Sequence, residues 1–266
     1  MISRIALLLL GTALFTQAVA ATPTPPLREV CRQSIPTMRE MWLKGTYDAP
    51  PAVATMMVDV IDGKLPQVRR QLQQMKPADA RLWRQSAMVA AAWSGQPAVV
   101  DGLLDDGALV DGTGWVPPLK SQFFYQEVDG MKQDSRFGAA GVETLMASGT
   151  LSNQGTFDML ALAGAVTCGD VATLDVLLRH HVNVAQREAP NVVDALTEAT
   201  NDGDAPVVQR LLDHGADPCA FDRRAAEFQR KHPARTKHTL AQIGRHAKLP
   251  ATLVVRLICP AVATTR

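Results

Sequence analysis

The chain has 266 residues, 47% of them hydrophobic and 5% aromatic, with a formal net charge of +1. That balance supports one or two domains with a buried core, and the weight of alanine and leucine favours closely packed helices over a β-sandwich. The near-neutral charge argues against a general binder of nucleic acid or of membrane surfaces.

In chain order, Arg4, the apolar run from Ile5 to about Phe15 and the small residues Ala18-Val19-Ala20 have the layout of a secretory signal peptide over residues 1–20. The apolar run is shorter than the roughly 18–20 residues a membrane-spanning helix needs. A mature chain beginning near Ala21 is therefore expected in the periplasm or outside the cell, without membrane insertion. Cys31, Cys168, Cys219 and Cys259 then meet an oxidising environment in which disulfides form, and their spacing fits no zinc motif.

Residues 21–50 read as an N-terminal capping segment. Leu27 to Leu43 has helical periodicity, and Pro50-Pro51 marks the junction with the repetitive region. Three later stretches then align with one another. Gly95 to Gly107, Gly169 to His181 and Gly203 to Gly215 share one separation of 12 residues, and each encloses a Leu-Leu pair: Leu103-Leu104, Leu177-Leu178 and Leu211-Leu212. Gly169 and Gly203 lie 34 residues apart. The first glycine of each stretch is placed to end one helix in a left-handed conformation, and the leucines to face the core from a second. His181 occupies a position where the other two stretches have glycine. Upstream, Ser86 to Ala92 fits an alanine-rich first helix with Ser86 as its N-cap, and Asp194 to Thr197 is the looser counterpart.

This spacing, the Leu-Leu pairs and the Gly-Ala-Asp ending at Gly215-Ala216-Asp217 resemble the ankyrin-repeat family, whose period is about 33 residues. The resemblance implies an all-α solenoid of about five helix pairs over residues 51–220. Asp59 to Val68 reads as a degenerate earlier unit. The 74 residues from Gly95 to Gly169 read as two periods plus extra sequence, giving an irregular unit at about 113–152. In that unit Pro118-Leu119-Lys120 would start a first helix and Val142 to Met146, followed by Gly149, a second, with an insertion of roughly ten residues around Gln126 to Gly138. Residues 221–266 are expected to cap the C-terminal end with helices broken near Pro233 and Pro250.

No catalytic constellation stands out: the chain has no Gly-x-Ser-x-Gly elbow, no His-Glu-x-x-His and no phosphate loop. His180-His181 and His214 lack ligand spacing for a metal. The chain is thus expected to be no enzyme and to need no cofactor or metal. For the cysteines, a Cys219–Cys259 bridge fastening the C-terminal cap is one expectation among three possible pairings. Cys31 and Cys168 should sit about three repeats apart, so either the N-terminal segment runs along the stack or these thiols stay unpaired.

What remains is a binding surface. Trp115, Phe123, Phe124 and Tyr125 cluster in a chain otherwise poor in aromatics, and aromatics are enriched in interface hot spots. Acidic residues outweigh basic ones around them, whereas Arg223 to Lys248 is strongly basic. The expected partner-binding set is Asp111, Trp115, Phe124, Tyr125, Glu127, Asp129, Asn153, Asp158, Arg187 and Asn191, on fingers and first helices from Asp111 to Asn191. The resemblance implies a protein partner. Small exported ankyrin-type proteins of bacteria resemble either immunity proteins that block a type VI secretion effector, such as a peptidoglycan amidase or phospholipase, or accessory scaffolds for periplasmic stress defence or envelope assembly.

Overall fold

The computed structural model describes residues 27–133, 138–147, 153, 156–185, 194–231 and 238–259. They are mostly helical. In chain order they form α1 (Leu27–Leu43), α2 (Pro51–Ile61), α3 (Leu65–Gln73), α4 (Pro77–Trp93), α5 (Pro97–Asp105), β1 (Thr113–Val116), α6 (Ser121–Gln133), α7 (Gly138–Ala147), β2 (Thr156–Leu160), α8 (Ala161–Thr167), α9 (Val171–Arg179), α10 (Ala195–Asn201), α11 (Ala205–Asp213), α12 (Cys219–Lys231), α13 (Leu240–His246) and α14 (Ala251–Arg256).

Helix pairs are cut by the residues that begin and end them. Proline occupies the first turn of α2, α3, α4, α5 and α11, where its missing N–H costs nothing. Asp170, Asp194 and Asp204 accept backbone N–H bonds at the starts of α9, α10 and α11, and Thr239 closes a capping box with Gln242 on α13. Between the two helices of a pair the chain turns through a residue of positive φ: Gly63, Gly95, Gly169 and Gly203, and Lys248 in the last pair. Gly107, His181 and Gly215 take the same conformation after α5, α9 and α11, with His181 at φ 60°. Ser86 is not a helix start. Pro77 opens α4 more than two turns earlier, and the buried Ser86 hydroxyl donates to Leu82 O and accepts the Trp115 N–H.

The turns show which pairs are neighbours. A Cβ on Gly63 would meet Gln96 at 2.6 Å, one on Gly95 would meet Asp170 at 2.7 Å, one on Gly169 would meet Asp204 at 2.7 Å, and one on Gly203 would meet the Ala247 carbonyl at 2.6 Å. Each turn therefore packs on the residue beside the next turn. The second helices are bridged in the same order, by Arg69 to Asp106, Asp101 to His180, Asp175 to Arg210 and Asp213 to Arg256, at 2.5–2.8 Å. The stack is thus α2/α3, α4/α5, α8/α9, α10/α11 and α13/α14, around one continuous core.

Two expectations change here. Gly95 and Gly169, 74 residues apart, belong to adjacent pairs, so the irregular unit is not a layer of the stack. The fifth layer is α13/α14, from the segment expected to be only a cap. Direct contact of α4 with α8 explains the bypass: a Cβ on Gly164 would lie 2.5 Å from the Trp93 ring, and the Trp93 indole N–H donates to Leu160 O. No layer fits between them.

Helix α1 is no simple end cap either. It lies along the row of turns, crossing the stack. Arg39 makes two bonds to Asp62, Arg32 donates to the carbonyls of Cys168 and Gly169, and the backbone N–H groups of Leu27 and Arg28 reach Asp202. With 17 residues it spans about 25 Å, enough for several layers. Cys31 and Cys168 form a disulfide with Cα atoms 5.1 Å apart, which is possible because this strap runs along the stack. Cys219 and Cys259 form the second disulfide, tying the start of α12 to the chain after α14.

Candidate functional site: an arm between two strands

Between the second and third stacked pairs the chain leaves the body and returns. It leaves through β1 and comes back through β2, which pair antiparallel, with Thr113 opposite Leu160, Gly114 opposite Met159 and Val116 opposite Thr156. β1 is pressed on α4, since a Cβ on Gly114 would sit 2.8 Å from Val89. The ribbon hands the chain directly into α8. Beyond Val116 stand α6 and α7, an αα-hairpin with a core of its own: Val128, Met131 and Val142 are buried together, with Phe124 and Leu145 packed against them. This cluster is separate from the stack core.

The α6 helix runs through Gln126 to Gln133, where the start of an insertion of roughly ten residues was expected. The described part of that insertion, residues 126–133, thus continues the first helix, and residues 134–137 lie outside the described residues. A second tie fixes the arm's base. Tyr47 bridges Leu119, Asp48 N–H donates to Pro118 O and Lys120 N–H donates to Thr46 O, both at 2.8 Å. Tyr47 stacks on the buried Trp42 at the end of α1, with ring centroids 4.3 Å apart, and burial pushes its phenol up to about 12. The strap and the arm therefore meet at residues 46–48, a connection with no local sequence signal.

The expected binding residues fall into two groups. Asp111 and Trp115 belong to the stack: Asp111 is exposed on the finger after α5 and accepts the Asn183 N–H, and half-buried Trp115 packs on Trp83 at 5.2 Å. Gln85 holds that finger in shape by bonding Leu109 and Gly112. A shallow groove of about 460 Å³ runs beside it, lined by Leu104, Leu109, Val110, Asp111 and His180. The second group is on the arm. Phe124 is half-buried in the small core, Tyr125 is 58% exposed with its ring against Phe124, and Glu127 and Asp129 are exposed on the same helix. Asn153 donates to Leu119 O at 2.7 Å, so its amide holds the returning chain to the arm's base. Asp158 lies in β2, and Arg187 and Asn191 lie outside the described residues.

Electrostatics on the stack is local. Two hydrogen bonds from Arg39, and then Lys64, hold the Asp62 carboxyl well below the usual carboxylate range. His180, followed by Arg179, lowers that of Asp101. Among the described residues no group of three or more His, Cys, Asp or Glu side chains is placed to hold a metal ion, and no helix is long and apolar enough to cross a membrane. No protein-family model matches the sequence, and no curated protein does so either.

Proposed function

We propose that this chain is an exported ankyrin-type protein that binds another protein through its arm and catalyses nothing itself. In the sharper form of this reading it is a periplasmic immunity protein, which blocks a toxic hydrolase delivered by a type VI secretion system, a peptidoglycan amidase or a phospholipase. One observation carries the reading: α6/α7 is a preformed projection, with its own core and an exposed Tyr125, held out by a ribbon and a second tie. A rigid projection presents aromatic area with little ordering cost on binding, which suits insertion into a cleft. The two disulfides support an oxidising compartment.

The geometry offers a clean test. Because Val116 and Thr156 are paired across the ribbon, residues 117–155 can be replaced by Asn-Gly, a two-residue hairpin turn. Mature protein is used to capture partners from periplasmic extract, and the captured hydrolase is assayed with increasing inhibitor. Stoichiometric inhibition by the intact chain and none by the armless chain is expected. A hydrolase inhibited equally by both would remove the arm from the mechanism, and capture without inhibition would remove the immunity role.

A further inference from the structure

The C-terminal end of the stack carries a different surface. Residues 219–259 hold nine Arg and Lys against two acids, Asp222 and Glu227; with the whole chain at +1, the remainder carries −6. Several of these cations are spoken for. Arg223 pairs with Asp217, Arg224 with Asp194, and Arg256 turns back to Asp213 on α11. Arg245, in the last turn of α13, and Lys248, in the turn after it, are exposed and have no acidic partner among the described residues.

Next to them α14 divides its side chains sharply. Within it Leu253 and Val254 are buried and Thr252 and Val255 are exposed; in the turn that follows, Leu257 is buried and Ile258 exposed. Positions three apart share one side of a helix. Val255 is 65% and Ile258 48% exposed. The terminal layer of a solenoid is expected to turn a polar face outward. This one exposes two large aliphatics, Val255 and Ile258, in a layer whose Arg245 and Lys248 have no acidic partner among the described residues.

We propose that this end face docks peripherally on an anionic lipid bilayer. Cations alone would suit any polyanion, but the aliphatic pair would stay wet on an acidic protein chosen for charge. A bilayer supplies both complements, anionic headgroups for Arg245 and Lys248 and an apolar layer just beneath for Val255 and Ile258. Such a small footprint gives reversible attachment. Docking at this end leaves the arm free, because the arm leaves the stack between its second and third pairs and is tied at Tyr47, ahead of the first pair. The proposal does not depend on the arm having a partner.

The test is flotation of the mature chain with vesicles of phosphatidylcholine alone or with about 30% phosphatidylglycerol, chosen as a strongly anionic surface. Binding is expected only on the anionic vesicles and is lost in high salt. Arg245→Gln with Lys248→Gln should weaken it about 30-fold, and Val255→Ser with Ile258→Ser roughly tenfold. Both variants should melt like the parent, since all four positions are exposed. Equal binding to both vesicles, no binding to either, or no response to either pair of substitutions would overturn the proposal. Salt-sensitive binding to soluble polyglutamate without flotation would assign the face to an acidic protein instead.

Discussion

The stack and the arm are made of the same unit, a helix pair closed by a short turn, and they differ in what lies on either side. Every stacked pair is braced by a neighbour, with turn glycines packed too closely for a side chain and second helices bridged by ion pairs. Among the described residues the arm has no such neighbour: its buried cluster there is Val128, Met131 and Val142, and a Cβ on Gly130 or Gly141 would meet nothing within 4 Å. Stability in helix pairs stacked this way is largely shared between neighbours. The arm must hold its shape with its own few contacts and two anchors, and it can present both its outer sides to a partner.

The contrast can be broken most forcefully at the strap. Replacing Cys31 and Cys168 by serine should cost the stack about 4 kcal/mol by releasing a loop of more than a hundred residues, read as a lower midpoint in denaturant. Next comes the direct contact of α4 with α8: Gly164→Val drives a side chain into the Trp93 ring and should cost about 3 kcal/mol. If a layer did intervene there, the substitution would be mild. On the arm, Met131→Ala removes a third of the small cluster, a loss of about 2–3 kcal/mol in local terms. Amide exchange should therefore accelerate across α6 and α7 while the stack's melting barely moves.

Smaller effects sharpen the same contrast. Asp62 is held ionised by Arg39 and Lys64, so its contribution exists above the ordinary carboxylate range and fades as pH falls through its lowered value. Asp62→Asn should cost about 1 kcal/mol at neutral pH, and the gap from the parent should begin to narrow as the pH falls below about 4 and go on narrowing at the lowest pH the fold tolerates. Last, Gly141→Ala should stabilise the arm by about 0.5–1 kcal/mol, since it sits inside a helix with open space around it. Glycine to a larger residue is thus expected to act with opposite signs in the two regions.

Much of this architecture is legible in the sequence where the signal is local. The 12-residue separation of left-handed positions marks the pairs, and His181 marks one despite lacking glycine's freedom. What stays hidden is adjacency. Pro118-Leu119-Lys120 and the helix after it look like any other unit, because a helix hairpin has the same pattern whether or not it is stacked. The 74-residue interval divides equally well into two layers or into one layer with an excursion; Trp93 and Gly164 decide the matter in space. The same holds for the strap, whose arginines bond carbonyls and carboxylates far along the chain. At the candidate site the aromatic cluster is visible in the sequence, but the split between Trp115 on the body and Tyr125 on the arm is not. Whole-chain charge misleads in a similar way, since +1 is the average of two opposed segments.

The path of α1 also bears on how the molecule folds. Contacts within a layer and between most successive layers are close in sequence, those between the second and third span about 70–80 positions, and Arg28 must wait for Asp204, 176 positions downstream. The first of the described helices is therefore among the last to be secured. Until the third layer exists Cys31 has no native partner, so the native thiol pairing reports that most of the chain has already arrived.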